Sequence, residues 1–253
     1  MKQWRFLKIV RRQIWVYRKH LFSNLSSDVL SPIIQLLAFG IGLGTFVGAI
    51  QGFDYLTFIV PGIVAISAIS TATGNCTYGA FIRADYQKTY DMALSAPIKL
   101  EDIILAEVVS ASFFAIISSG CVVLISFLFG VVPNGQLFIV PIIAFAGAFV
   151  FGCIALTFTG RVYNINNFNL YFELLIMPLA FLSGGYFPIS VLPEGIQVAV
   201  QVFPFYHIIY AMRQAFFNLL TIWDVLIALA ISAAWAIPFL YLAQKSFARR
   251  IIP

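Results

Sequence analysis

From Tyr55 to Ile82 the chain carries no charged residue, and that one stretch excludes most folds. About 20 apolar residues in a helix cross the ~30 Å hydrocarbon core of a bilayer, whereas a helix packed on one side in water keeps a polar face. Similar runs recur at 29–50, 103–132, 138–159, 170–187 and 225–242. Of the 253 residues, 61% are apolar and 10% charged, against about 25% charged in a soluble domain. So little charge cannot cover a water-facing surface, and lipid must be a large part of the solvent. The expected fold is an all-α polytopic membrane protein, a single transmembrane domain over 1–253 with six spans, the second drawn over 55–78.

A seventh apolar region, 188–220, resists that count because Pro204 divides it and Arg213 interrupts its second part. Pieces of that length suit re-entrant or interfacial helices. With six spans and both termini on one side, every Lys and Arg except Arg213 falls on that side, the asymmetry of cytoplasmic loops. The net charge of +5 is therefore a topology signal, and no nucleic-acid partner is expected. Residues 1–20 carry Lys2, Arg5, Lys8, Arg11, Arg12, Arg18 and Lys19 with no apolar core of a cleavable leader, so insertion through the spans themselves is expected.

Within 1–22, Leu7, Val10, Ile14, Tyr17 and Leu21 recur at helical spacing while Arg5, Lys8, Arg12 and Lys19 lie mostly off that face. Trp4 and Trp15 suit the headgroup level. The pattern reads as an amphipathic interface helix, the alternative being a basic tail that only sets topology. Between spans two and three, 83–102 is a charged loop holding an apolar patch, Tyr90, Met92, Ala93 and Leu94, closed by Pro97. Spacing alone leaves a partner site and a plain solvated loop equally open. In the first span Gly40, Gly44 and Gly48 form a flat strip suited to close helix contact, within the bundle rather than as a dimer seam. Cys76, Cys121 and Cys153 share no ligand spacing and read as small buried hydrophobes.

A catalytic inventory is missing. His20 and His207 stand alone, no nucleophile or zinc motif occurs, and there is no Gly-x-x-x-x-Gly-Lys-Ser/Thr phosphate loop. No metal or cofactor is expected on this chain, and ATP with its magnesium would have to sit on another subunit. Glu107 and Glu173 lie about a turn inside the cytoplasmic boundary, where pairing with a neighbour such as Arg161 accounts for them. Without an ionisable group at mid-membrane, an ion-coupled secondary carrier is the weaker hypothesis.

The order of these features resembles the type-2 ABC-transporter permeases over essentially the whole chain. The resemblance is carried by Leu94-Ser-Ala-Pro-Ile98, by Pro178-Leu-Ala-Phe-Leu-Ser-Gly-Gly-Tyr-Phe-Pro188 with Leu192-Pro193, and by Phe203-Pro-Phe-Tyr-His-Ile-Ile-Tyr-Ala-Met-Arg213. It is closest to the nodulation-protein J and daunorubicin-exporter branches. Ser67–Thr73 and Lys99–Glu107 favour the former, which exports lipo-oligosaccharides, while the Phe-Tyr-His-Ile stretch departs from the form many members carry. The resemblance implies a coupling helix in 83–102 that meets a cytosolic ATPase, with Tyr90, Asp91, Met92, Leu94 and Pro97 as candidate contacts. It also implies an interface helix bearing Arg5, Lys8, Arg12 and Trp15, and a gate of short outer helices at 188–220. Two permease copies and two ATPase subunits would form the working unit in a bacterial inner membrane, both permease termini cytoplasmic. The path would run between the permeases, bordered by spans one, two and five. Tyr171, Phe172, Phe181, Tyr186, Phe187, Pro188 and Arg213 are the candidate path or gate residues. The expected cargo is an amphiphile such as a lipo-oligosaccharide or glycolipid, the alternative a hydrophobic drug or antibiotic.

Overall fold

The computed structural model describes residues 5–20, 30–50, 52–132 and 134–251. Trp4 and Leu21 of the expected interface helix, and the first residue of the expected 29–50 span, lie outside the described residues. The protein is an all-α polytopic membrane protein. Among the described residues five helices are long and apolar enough to cross a bilayer: α2 (Leu30–Val47), α3 (Tyr55–Tyr86), α5 (Leu100–Leu128), α6 (Gly135–Thr159) and α10 (Ile222–Ile251). Helix α1 (Arg5–Lys19) precedes them, and α4 (Thr89–Leu94) joins α3 to α5.

The expected fifth span differs in its bounds. Helix α7 (Asn167–Leu182) is about 24 Å long at 1.5 Å per residue and stops five residues short of Phe187. The cause is the Ser183-Gly184-Gly185 turn: Gly184 takes φ +83°, a conformation that costs glycine no Cβ clash. The divided segment is resolved into α8 (Glu194–Gln201) and α9 (Pro204–Phe216), bent by 91° at their junction. Pro204 opens α9 at a position where its missing N–H is no loss. His207 Nε2 donates to Gln201 O at 2.7 Å across the bend.

Helix α3 is the axis of the bundle, with residues 58–65 all buried. Asp54 caps its start by accepting from Leu56 N at 3.2 Å. A short antiparallel hairpin, β1 (Ala49–Ile50) and β2 (Phe53–Asp54), delivers the chain from α2 into that cap. Helices α5 and α6 flank α3, and α10 lies along α6. Since lipid is as apolar as the side chains, small residues and interhelical hydrogen bonds must hold these contacts. Gly152 faces Cys76 and Val108, and Gly147 faces Ile208. Ser118 bonds both Ser67 and Thr71, at 2.9 and 3.1 Å. Thr159 reaches Cys76 O at 2.9 Å and Thr157 reaches Phe239 O at 2.8 Å. Cys76 and Cys153 are buried free thiols.

The first-span glycine strip is used only in part. A Cβ on Gly40 would press Leu56 at 3.1 Å, Gly44 merely touches Tyr55, and Gly48 ends the helix at φ +69° in open space. The tightest glycine contact lies elsewhere, where Gly62 of α3 meets the backbone of Gly185 just after α7. A side chain at 62 cannot be accommodated without separating the two segments. Gly62→Val is expected to cost about 1–3 kcal/mol through overpacking, read as a lower melting temperature in detergent. Gly120→Ala, in open space, should leave the melt unchanged or slightly raised.

Candidate functional site

The basic end of the bundle is organised by two ion pairs that hydropathy does not reveal. Arg83, near the end of α3, reaches Glu107 on α5 through Nε to Oε1 at 2.9 Å and Nη2 to Oε2 at 2.5 Å. Its Nη2 also donates to Asn75 O, two turns back on its own helix, at 3.0 Å. Gly79 makes that return possible, because a Cβ there would meet the guanidinium at 3.1 Å. Glu107 is 2% exposed, and a buried carboxylate needs such a bidentate partner to stay charged. Glu107 therefore pairs with Arg83 and not with Arg161, contrary to expectation, and Glu173 is exposed on α7. The second pair joins Arg250 of α10 to Asp85. Arg250 also donates to Thr159 O at 2.6 Å, at the end of α6.

These pairs seat α4. Lys88 enters the left-handed region at φ 51°, which turns the chain sharply from α3 into α4. Tyr90 is 1% exposed and packs on Phe247 of α10, ring centroids 5.7 Å apart. Burial, with the nearby Glu107 carboxylate next in weight, pushes its phenol well above the ordinary range. The opposite face of α4 is free. Met92 is 64% exposed, Asp91 and Pro97 are exposed, and Leu94 is half-buried. Of the five coupling candidates, Asp91, Met92 and Pro97 are accessible, Leu94 packs partly on the core one turn from Tyr90, and Tyr90 is the anchor beneath.

On α1, Val10 and Tyr17 are buried, the latter stacked on Phe114 of α5 with centroids 4.0 Å apart. Lys8, Arg12 and Trp15 are exposed, Arg5 is half-buried, and Lys19 Nζ sits 3.8 Å over the Trp15 ring. Leu7, expected on the apolar face, is exposed.

At the opposite end, the turn after α7 is pinned by side chains from three helices. Tyr55 donates to Tyr186 O at 3.0 Å, and Tyr186 donates to Gln35 Oε1 on α2 at 3.1 Å. Arg213 Nη2 donates to Gly184 O at 2.5 Å, with the guanidinium 4.0 Å over the Phe58 ring. No carboxylate pairs with Arg213 among the described residues, and its buried Nε finds no acceptor there. Phe181 stacks on Tyr186 at 4.6 Å and stays partly exposed, while Phe187 and Pro188 are half-buried. Tyr171 is buried against Phe158 of α6, and Phe172 flanks Tyr78. The gate candidates Phe181, Tyr186 and Arg213 thus meet at one turn. Tyr171 and Phe172 belong to the far end of α7.

A model of the ABC-2 type transporter family matches residues 5–217. The chain belongs to that family. It is a membrane subunit of an ABC transporter. Nodulation protein J of Sinorhizobium fredii is 30% identical to it, over 84% of this chain and 81% of the relative. The Bradyrhizobium diazoefficiens protein of the same name is 31% identical over 80% and 78%. The inner membrane transport permease YadH of Escherichia coli is 24% identical over 83% and 84%.

In this ABC-2 subunit the pairings that sequence reasoning missed are Arg83 with Glu107 and Asp85 with Arg250. The signal available was an isolated carboxylate one helix away from an isolated arginine. Glu107→Gln strands a buried guanidinium, and is expected to destabilise the bundle by about 3 kcal/mol. The double variant Arg83→Met with Glu107→Leu, which removes both charges, should recover most of that loss. Thermal melts of the three proteins, purified side by side, check the order.

Proposed function

We propose that the chain forms the membrane half of an ATP-driven exporter, with a second copy of itself and two cytosolic ATPase subunits. The single observation that carries this reading is the two-faced α4. One face is anchored by Tyr90 beneath the ion pairs, and the other offers Asp91, Met92 and Pro97 beyond the ends of the spans. Membership of the ABC-2 type family and the absence of a phosphate loop in this sequence support an energy source on another polypeptide. The basic residues gathered at the α4 end make it the cytoplasmic one under the positive-inside rule, in a bacterial inner membrane. ATP and magnesium belong to the partner. An ion-coupled carrier fits less well, since Glu107 is already neutralised by Arg83.

The path is assigned to the seam between two copies, bordered by α2, α3 and α7. Helix α2 sits at the bundle edge, with Leu30, Ile34, Leu37 and Ile41 exposed along one stripe. Behind it, a groove of about 150 Å³ between α2 and α3 is lined by Ser31, Gln35, Ser67, Ser70 and Thr71 together with Pro32, Ile63 and Ile66. Hydroxyls and an amide inside an apolar bundle suit the sugar hydroxyls of an amphiphile better than a purely hydrophobic drug, so a lipo-oligosaccharide or glycolipid is the favoured cargo. Relatives named nodulation protein J support the same choice. Tyr186 stands at the groove's margin through its bond to Gln35, and its turn, with α8 and α9, forms the gate to be displaced during export.

Met92→Glu places a charge on the exposed α4 face without touching the anchored one. In the assembled complex it is expected to lower both cargo-stimulated ATP hydrolysis and export at least tenfold, while Met92→Leu retains both. Full activity of Met92→Glu would overturn the coupling assignment. Stimulation of ATP hydrolysis by hydrophobic drugs but not by glycolipids would overturn the cargo assignment alone.

A further inference from the structure

Away from that seam, two cavities meet at one side chain. The first, of about 290 Å³ at the basic end, lies between the turn after α6 and the last turns of α10, and is lined by Arg161, Lys245, Arg249 and Arg250 with Tyr163 and Ser246. The second, of about 270 Å³, is an apolar cleft whose walls come from α6, α7 and α10, among them Ile154, Leu175, Trp235 and Phe239. Arg161 lines both. A cationic pocket at the basic end thus borders an apolar slot, the two sharing the Arg161 side chain.

We propose that this paired cavity binds one anionic phospholipid of the leaflet at the basic end, its headgroup among the cations and an acyl chain in the cleft. The charge balance argues for an anion. Among the described residues Arg161, Lys245 and Arg249 enter no ion pair, while Arg250 is committed to Asp85 and to Thr159 O. The Arg250 side chain is 7% exposed, so it is a fixed wall of the pocket. Cations that served topology alone would be free to spread into water, yet these converge on one concavity, as in basic pockets between transmembrane helices that hold lipid headgroups. Tyr163 and Tyr241 are 78% and 64% exposed nearby, the aromatic placement expected at headgroup level. The slot argues for an acyl chain. Its lining is almost wholly aliphatic and aromatic, which suits a hydrocarbon chain and leaves sugar hydroxyls without partners. A lipid there would wedge α7 against α6 and α10, on the opposite side of α7 from the seam.

The test uses the purified full-length chain, titrated with phosphatidylglycerol and with phosphatidylethanolamine of the same chain length, with adducts read by native mass spectrometry. The wild type is expected to hold one phosphatidylglycerol per chain in preference to phosphatidylethanolamine. Replacing three cations in Arg161→Gln, Lys245→Gln, Arg249→Gln should weaken retention on the order of 100-fold, at roughly fivefold per charge. Leu175→Trp, which fills the slot and leaves every cation in place, should also lose the adduct, and guards against mere misinsertion of the triple variant. Equal retention of the two phospholipids, undiminished retention in both variants, or a co-purified glycolipid in place of phospholipid would overturn the proposal.

Discussion

The basic end of the structure depends on one bidentate ion pair. Arg83 and Glu107 are charged groups within helices that otherwise read as lipid-soluble, and each alone would be prohibitively placed. Together they convert a solvation problem into a register constraint, since the guanidinium fork meets the carboxylate plane in few orientations. Arg83 reaches Glu107 while folding back over Gly79 and donating to the Asn75 carbonyl as its third acceptor. The π-helical turns Asn75–Gly79 and Ile82–Tyr86 lie where α3 adjusts to this demand. Once α3 and α5 are locked in register, the Lys88 to Lys99 segment between them has little freedom, and Tyr90 drops into the space beside Phe247.

The two ends are held by different physics. At the α4 end the ties are charge–charge contacts across α3, α5 and α10, with Arg250 closing the ring onto α6. At the other end the ties run from side chains to backbone carbonyls, Tyr55 to Tyr186 and Arg213 to Gly184, and through the Gly62–Gly185 approach. The neutral Tyr55 bond is worth about 0.5–1.5 kcal/mol and the charged Arg213 bond about 1.5–3 kcal/mol, and a carbonyl released from one donor can take another. On the proposed function, a push delivered at α4 would be carried by the charged ties there and relieved at the other end. This asymmetry suits a permease whose partner docks on one side and whose cargo leaves on the other.

Much of this was legible along the sequence because lipid imposes a simple rule: long apolar runs become helices, and cations stay on one side. The position of every long helix followed from that rule, as did the break at Pro204 and the isolation of Arg213. The misreadings share a cause. Hydropathy cannot see that Ser183-Gly184-Gly185 stops a helix, since small residues are tolerated within spans, so the expected fifth span runs five residues past the end of α7 and begins three residues inside it. It cannot see facing either, so Tyr90 was grouped with Met92 although they lie on opposite sides of α4. Arg161 was the obvious neighbour for Glu107 by depth alone, but α3 and α5 are adjacent, and Arg83 arrives from the nearer helix.

Arg161, which does not make that pairing, marks a side of the bundle where packing is incomplete. Helix α7 is short, and beside the Tyr171–Phe158 contact its Leu175 and Leu179 line a cleft shared with α6 and α10. Rigid-body motion of α7 needs such slack, because a helix packed to crystal density on all sides cannot tilt without breaking contacts. An unfilled apolar slot in a membrane is open to lipid, however, so the slack must be occupied by something deformable. A hydrocarbon chain meets that condition: it conserves contact with the walls while changing shape. The same helix would then present one face to cargo and the other to a fluid filler, which lets its turn at Tyr186 give way without opening the core.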